Sequence, residues 1–518
     1  MSTLFSAFMV GARLHVLEEG PKLAETDPIR SVGFTTKVTF GIGQVAEGIK
    51  NTAFALFLLF FYVQVHGLSP SLAGTALFIA LCFDAVSDPI AGYLSDTWRS
   101  RWGRRHPFMY ASAIPLAVAF YFTFVPPEGL SQMELFTWLT IFTILTRAAM
   151  TLYHVPHIAL GAELSEDYEE RTTIVGYRTA FGIVGSLLVY GSVTLFFPES
   201  EDGVPGQLDN LNYPSFATVC AIVMWVTIWI SAIGTHKEIK HLPQHGAPQE
   251  PFALRVVFKE SWLALQNSNF RALFLAVLVS FVMAGVTVSL NLFIFTFFWE
   301  LDASALQIVL IVYPVGILLG TPLTRYFHRI FDKKPAVVWG TAWWAALQFL
   351  PVTLRLLGFF PDNDSLLLLP ILVGVAFVQG MGVSQGIVSF GSMVADIVDE
   401  HELQTGRRQE GIFFAAVSFA AKATAGFGGL VAGFGLELIN WPTGPEIRTA
   451  LDVPPETLIN LGLLYGPGVA IFGFTAVWLY TRYGLNREKH AAILSALKVK
   501  RAERNRAQKT GEHGEAQV

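Results

Sequence analysis

Charged residues are scarce in this chain. Asp, Glu, Lys and Arg make up only 14% of its 518 residues, against about 25% in soluble domains. A soluble protein of this length could not cover its surface with so few. Cysteine is scarcer still: Cys82 and Cys220 cannot build a disulfide framework or a cysteine-only metal site. The net charge of −5 gives no basic surface for nucleic acid, so no such partner is expected. No GxxxxGK[ST] loop occurs, which leaves ATP-driven chemistry without sequence support. The HxxH at 154–157 has the wrong step for an HExxH metalloprotease helix. No constellation of nucleophile, base and stabiliser is found, so neither an enzyme nor a cofactor is expected. Apolar residues reach 53% and aromatics 13%. That composition excludes disorder and leaves an all-α polytopic membrane protein.

A membrane helix needs about 20 mostly apolar residues. Twelve such stretches fit, near 36–63, 71–95, 107–126, 133–160, 173–197, 214–235, 270–298, 304–327, 336–358, 366–395, 411–439 and 458–482. They are too long, and too apolar on every face, for β-barrel strands. Orientation follows from the basic residues of the loops. Arg99, Arg101, Arg104 and Arg105 lie between helices 2 and 3, and Lys237, Lys240, Arg255 and Lys259 between helices 6 and 7. Arg325, Arg329, Lys333 and Lys334 follow helix 8, and Arg407 and Arg408 follow helix 10. The alternate loops carry only Arg355 and Arg448. An integral protein of the cell (inner) membrane with both termini cytoplasmic is therefore expected. The expected organisation is an arm at 1–35, a six-helix bundle at 36–235, a linker at 236–269, a second bundle at 270–483 and a tail at 484–518.

The two halves repeat. DPIAGYLSDTWRSRWGRRHP (88–107) corresponds to GTPLTRYFHRIFDKKP (320–335), and ALGAELSEDYEERT (159–172) to SFGSMVADIVDEHELQTGRR (389–408). The offset is about 230 residues in both. Repeats of this kind mark transporters whose substrate site lies between the halves near the bilayer midplane.

Ionisable groups at bilayer depth are functional candidates by default. Asp84 and Asp88, in FDAVSDP (83–89), are four apart and share a helix face. With Ser87 they make an oxygen-rich nest suited to Na⁺ or H⁺. Helix 4 supplies Arg147, Thr151, His154 and His157. His154 either relays a proton or is a structural hydrogen-bonding residue, the reading favoured for His157. Glu47 and Lys50 on helix 1 either pair with each other or face a cavity. Arg178 and Lys422 lie where snorkelling to water is difficult and are candidate substrate contacts.

The runs FDAVSDPIAGYLSDTWRSRWGRRHPF (83–108), VPHIALGAELSEDYEERT (155–172) and MVADIVDEHELQTGRRQEGIFF (393–414) resemble the glycoside–pentoside–hexuronide:cation symporter family, the melibiose permease type of the major facilitator superfamily. The resemblance implies two six-helix bundles and alternating access, with H⁺ or Na⁺ as coupling ion and a sugar or glycoside as solute. Some relatives carry lysophospholipids, so an amphiphile is the alternative; a receptor or membrane enzyme is the remote one. The family's cation site maps onto Asp84, Ser87, Asp88 and Thr151, and its helix 4 acid onto His154. That departure adds weight to the proton. Asp84 and Asp88 would ligate a metal only if the ion is Na⁺. Arg178, Lys422, His154 and Lys50 are the expected substrate contacts. Arg101, Arg104, Arg105, Arg407 and Arg408 are the expected cytoplasmic gate. The family's helix 1 acid falls near Gly48 and its helix 4 aromatic on Ile158, which argues against a melibiose-type galactoside site.

Overall fold

The computed structural model describes residues 31–200, 203–242, 265–406, 413 and 426–515. Among them there is no strand. Helix α1 covers 34–65: α-helical Phe34–Ile42 and Gln44–Ala53 run into two π-helical turns, Phe54–Leu58 and Phe61–Val65. α2 (Pro70–Thr97), α3 (His106–Thr123), α4 (Gln132–Glu163), α5 (Tyr168–Gly191, continued by Val193–Phe196) and α6 (Tyr213–His236) complete the first half. The second half holds α7 (Ser268–Phe293, with a π turn at Ile294–Phe298), α8 (Ala303–Ile330), α9 (Lys333–Leu356) and α10 (Leu368–Thr405). It ends with α11 (Gly426–Leu438) and α12 (Pro455–Thr481). α13 (Arg487–Glu515) follows in the tail, whose sequence starts amphipathic and ends polar.

Nine helices among the described residues are long and apolar enough to cross a membrane. The other three expected spans are α1, broken by π turns, α3, an 18-residue helix, and α11, whose first part falls outside the described residues. Residues 243–264 of the expected linker, whose stretch 252–265 mixes apolar and charged residues as a segment along the membrane surface would, also fall there.

Local chemistry sets the starts. Ser131 and Glu134 form a capping box at α4. Asp167, Asn267, Asp302 and Asp332 accept backbone N–H bonds at α5, α7, α8 and α9. Such caps satisfy donors that a helix start leaves open. Proline sits inside α2 at Pro89 and inside α8 at Pro322, each removing a helix hydrogen bond at matching depth.

Packing repeats with the sequence. α1 packs on α5 and α6, α2 on α4, and α3 on α4 and α6. In the same order α8 packs on α10, α9 on α10 and α12, and α7 on α12. The halves meet through α1 and α7, and through α5 and α8. α2 crosses α11 so closely that a Cβ on Gly433 would stand 2.3 Å from the Pro70 carbonyl oxygen. Polar ties between halves cluster at the face opposite the basic loops. There Ser69 donates to Glu437 (2.9 Å), Thr194 to Gln307 (2.5 Å), Gln207 to Thr296 (2.9 Å) and Trp441 to Gln64 (2.9 Å).

The α8–α10 contact is made by backbone. A Cβ on Gly316 would meet the Phe377 carbonyl oxygen at 2.2 Å, and one on Gly380 the Tyr313 oxygen at 2.3 Å. The sequence GVSQG (382–386) spells a nucleophile elbow but lies within α10. Its Ser384 hydroxyl donates to the Met381 carbonyl of the same helix (2.7 Å), so the strand–turn–helix an elbow requires is absent here.

Gly380→Ala is expected to destabilise the purified protein by about 1–3 kcal/mol, the cost of overpacking a close contact. Gly374→Ala, with nothing within 4 Å of the new methyl, should melt at or slightly above the unaltered protein, because alanine favours helix. Thermal unfolding in detergent reads both.

Candidate functional site

A cavity of about 580 Å³ lies between the halves. One wall is polar and belongs to α1, α2 and α4: Glu47, Lys50, Asp84, Asp88, Arg147 and His154 line it, with Thr151 among them. The facing wall, from α7 and α11, presents Phe281, Ala284, Gly285, Val288, Ser289, Gly426 and Gly429. The described part of that wall carries no charge.

The polar wall is ordered by helical spacing. Asp84 and Asp88 on α2 face Arg147 and Thr151 on α4, both pairs four residues apart. The Arg147 guanidinium forms an ion pair with Asp84, and the Thr151 hydroxyl donates to Asp88 Oδ1 at 2.8 Å. The two carboxylates are thus engaged by successive turns of one neighbouring helix. Ser87 lies on the same stretch, but its hydroxyl donates to the Asp84 backbone carbonyl (3.4 Å) rather than bridging the carboxylates. Among the described residues no group of three or more His, Cys, Asp or Glu could hold a metal ion. The site is two acids and a hydroxyl.

Above it, Glu47 lies 2.8 Å from His154 Nδ1 and accepts from Gln44. Lys50, 6% exposed, donates to Asn51 Oδ1 at 2.7 Å. Glu47 and Lys50 thus each meet a neighbouring side chain of the cavity wall. Arg178 is half-buried on α5 within the field of Glu47 and stands behind the cavity wall rather than on it. His157 is fully buried, stacks on Phe40 and bonds to the Phe40 carbonyl oxygen (2.9 Å), a structural role. Gly48 shows why no acid stands there: a Cβ would come within 2.2 Å of the Gly182 carbonyl oxygen on α5. Lys422, Arg407 and Arg408 lie outside the described residues.

The basic loop residues divide sharply. Arg105 is 5% exposed and joins the end of α2 to the end of α4: it donates to Ser95 (2.7 Å) and pairs with Asp96 and with Glu163 (2.8 Å). Arg104 pairs with the same Glu163 (2.9 Å). Arg101 is exposed over the Trp102 ring. The second half repeats the tie, with Lys333 on Asp396 (2.7 Å). Here α13 joins, through His490 to Asp399 (3.1 Å) and Arg501 to Glu402 (2.6 Å). Burial, then the nearby carboxylates of Asp396, Glu400 and Asp332, push the Tyr483 hydroxyl pKa well above its ordinary value.

Sequence reasoning assigned no role to Arg147 as the partner of Asp84, nor to Gln44 and Asn51. The first was available: an acid pair at i, i+4 on helix 2 calls for a complementary pair at the same step on a neighbour.

The chain matches the family described as MFS/sugar transport protein over residues 39–487. An uncharacterized symporter of Synechocystis sp. is 24% identical, over 90% of this chain and 97% of its own. A sodium-dependent lysophosphatidylcholine symporter 1-A of Danio rerio is 26% identical, over 84% of this chain and 85% of its own. The crystal structure of a D-xylose–proton symporter superposes with a TM-score of 0.56 at 16% identity, over 86% of this chain and 96% of that one, which is likeness of fold.

Arg105→Gln should lower stability by about 1–3 kcal/mol, because the partly buried Asp96 loses its counter-charge and the buried Ser95 hydroxyl its donor, while Glu163 keeps Arg104. Arg101→Gln should leave the melting temperature unchanged within the small range of surface substitutions.

Proposed function

Because this chain belongs to the MFS/sugar transport protein family, an integral membrane transporter and not an enzyme, we propose that it carries a sugar or glycoside-like solute by cation-coupled symport and alternating access. One observation carries the reading: a cavity between the halves with two carboxylates and a hydroxyl held together on one wall. Charges at this depth persist where they bind and move ions.

In this mechanism the coupling ion, H⁺ or Na⁺, binds at Asp84, Asp88 and Thr151. A sodium ion would use carboxylate and hydroxyl oxygens; a proton would reside on one of two mutually repelling acids. Solute occupies the space bounded by Lys50 and His154, with Arg178 acting through Glu47 and Lys422 as the contact supplied by helix 11. The bundles at 36–235 and 270–483 then rock about the cavity. We read the basic-loop face as cytoplasmic, with both termini on that side. The inter-half ties at the other face make this a state closed to the outside. Arg104 and Arg105, with Arg407 and Arg408, serve the gate on the basic face, and Arg101 lies at its rim.

A second reading is supported by the uneven cavity. A polar wall facing small and apolar residues suits an amphiphile, such as a lysophospholipid, with its headgroup on α1, α2 and α4. The sodium-dependent lysophosphatidylcholine symporter among the relatives fits this alternative.

Uptake of a panel of labelled sugars, glycosides and lysophospholipids into proteoliposomes, under imposed pH or sodium gradients, separates the readings. Accumulation of a sugar or glycoside is expected to follow one of the two gradients. In Asp88→Asn that dependence should fall to the level seen without a gradient. Normal gradient-driven uptake by this variant would remove the ion-site assignment.

A further inference from the structure

The contact between α2 and α4 contains a cation that packing does not require. Its counterpart in the second half, α8 on α10, is closed by glycine and backbone: at the repeat offset, Asp84 and Arg147 correspond to the neighbourhood of Pro314 and Phe377, where Gly316 lies against the Phe377 carbonyl. The same helix pair can therefore be held without any ion pair. The outer tie of each half, Arg105 on Glu163 and Lys333 on Asp396, recurs in both halves as a charged contact, whereas the deep pair has no charged counterpart among the described residues. Arg147 stands half-way along α4, where charge is most costly.

The pair is also incomplete. One guanidinium nitrogen of Arg147 meets one oxygen of Asp84. The second oxygen, Oδ1, and the Arg147 Nε are both buried with no hydrogen-bond partner. A two-pronged arginine–carboxylate fork would satisfy these atoms and be hard to part. This one leaves one carboxylate oxygen of Asp84 without a hydrogen bond. All four residues line the cavity, so the guanidinium has space to move into.

We propose that Arg147 is a tethered cation that occupies Asp84 while the coupling ion is absent, competes with that ion for the carboxylate, and on release turns into the cavity as a donor to the solute. Binding of the ion then creates a substrate-binding group, which is one physical route to obligatory symport. No bond is made or broken; a mobile monovalent cation replaces a fixed one at the same oxygen, and the net charge of the cavity rises by one. The released charge favours a solute that offers an oxygen acceptor, whether hydroxyl, carboxylate or phosphate. The coupling is the cost of reaching the competent state: apparent ion affinity is reduced by the fraction of molecules in which Asp84 is not held by Arg147.

The inference rests on reading Asp84 and Asp88 as the cation site, and the test separates the two. Purified protein is titrated with sodium chloride against choline chloride at constant ionic strength, and thermal stabilisation gives the half-saturating concentration. Arg147→Gln is expected to respond at about tenfold lower sodium than the unaltered protein, the size of a typical coupling between sites. An equal or higher half-saturating concentration overturns the proposal. Where neither protein responds to sodium, the same comparison is made along pH: the midpoint of acid-dependent stabilisation should move about one pH unit higher in Arg147→Gln, and an unmoved midpoint overturns the proposal. If Arg147→Gln does not fold, Arg147→Met, which removes the charge and keeps much of the side-chain volume, should shift in the same direction, and an unshifted value overturns the proposal equally. Loss of response in Asp88→Asn together with an unshifted Arg147→Gln sinks the tethered-cation idea and spares the site. An intact response in Asp88→Asn sinks the site itself.

Discussion

The Asp84–Arg147 pair in the middle of the membrane is the constraint on which the rest of the molecule turns. Two full charges at this depth are tolerable only when each supplies the other's counter-charge. They meet where α2 lies on α4, with Asp88 against Thr151 one turn on. The same face of α4 looks into the cavity, where His154 lies about two turns beyond Arg147 and reaches Glu47 on α1. Three helices of one half are thereby joined through side chains that also line the solute space.

The second half repeats the architecture without that chemistry. Its helices pack in the same order, share the internal proline and keep the charged tie at the basic face. At cavity depth it substitutes close glycine contacts for charge. Among the described residues, the charged groups of the cavity sit in one bundle, while α7 and α11 present small and apolar side chains and Ser289. The π turns in α1 and α7 lie where the bundles meet, at the face opposite the basic loops. π-helical turns recur at functional sites in helices, and their matching positions in the two halves suit a pivot.

Much of this was legible in sequence because bilayers impose simple rules. Span lengths, the alternation of basic loops and the offset between halves follow from hydrocarbon thickness and charge placement. Asp84 and Asp88 stood out because an acid in an apolar run needs a reason. What could not be read was which partner each charge finds. The three-residue spacing of Glu47 and Lys50 does not tell that Glu47 also meets His154 and that Lys50 donates to Asn51. Ser87 looks like a third ligand, yet a serine in a helix readily donates to its own backbone. The burial of Arg105, unlike its neighbour Arg101, depends on how two helix ends converge, and loop composition does not encode that.

The central claim is that the deep charges are retained for coupling and not for holding helices together. Replacing both at once tests it most directly, since an apolar pair of similar volume usually matches or exceeds a buried ion pair in stability. Asp84→Leu/Arg147→Leu, followed by thermal unfolding with and without sodium and at two pH values, should melt at or above the unaltered protein and lose whichever ion-dependent rise the unaltered protein shows. A double variant that unfolds at markedly lower temperature, or one that keeps that ion response, would contradict the account.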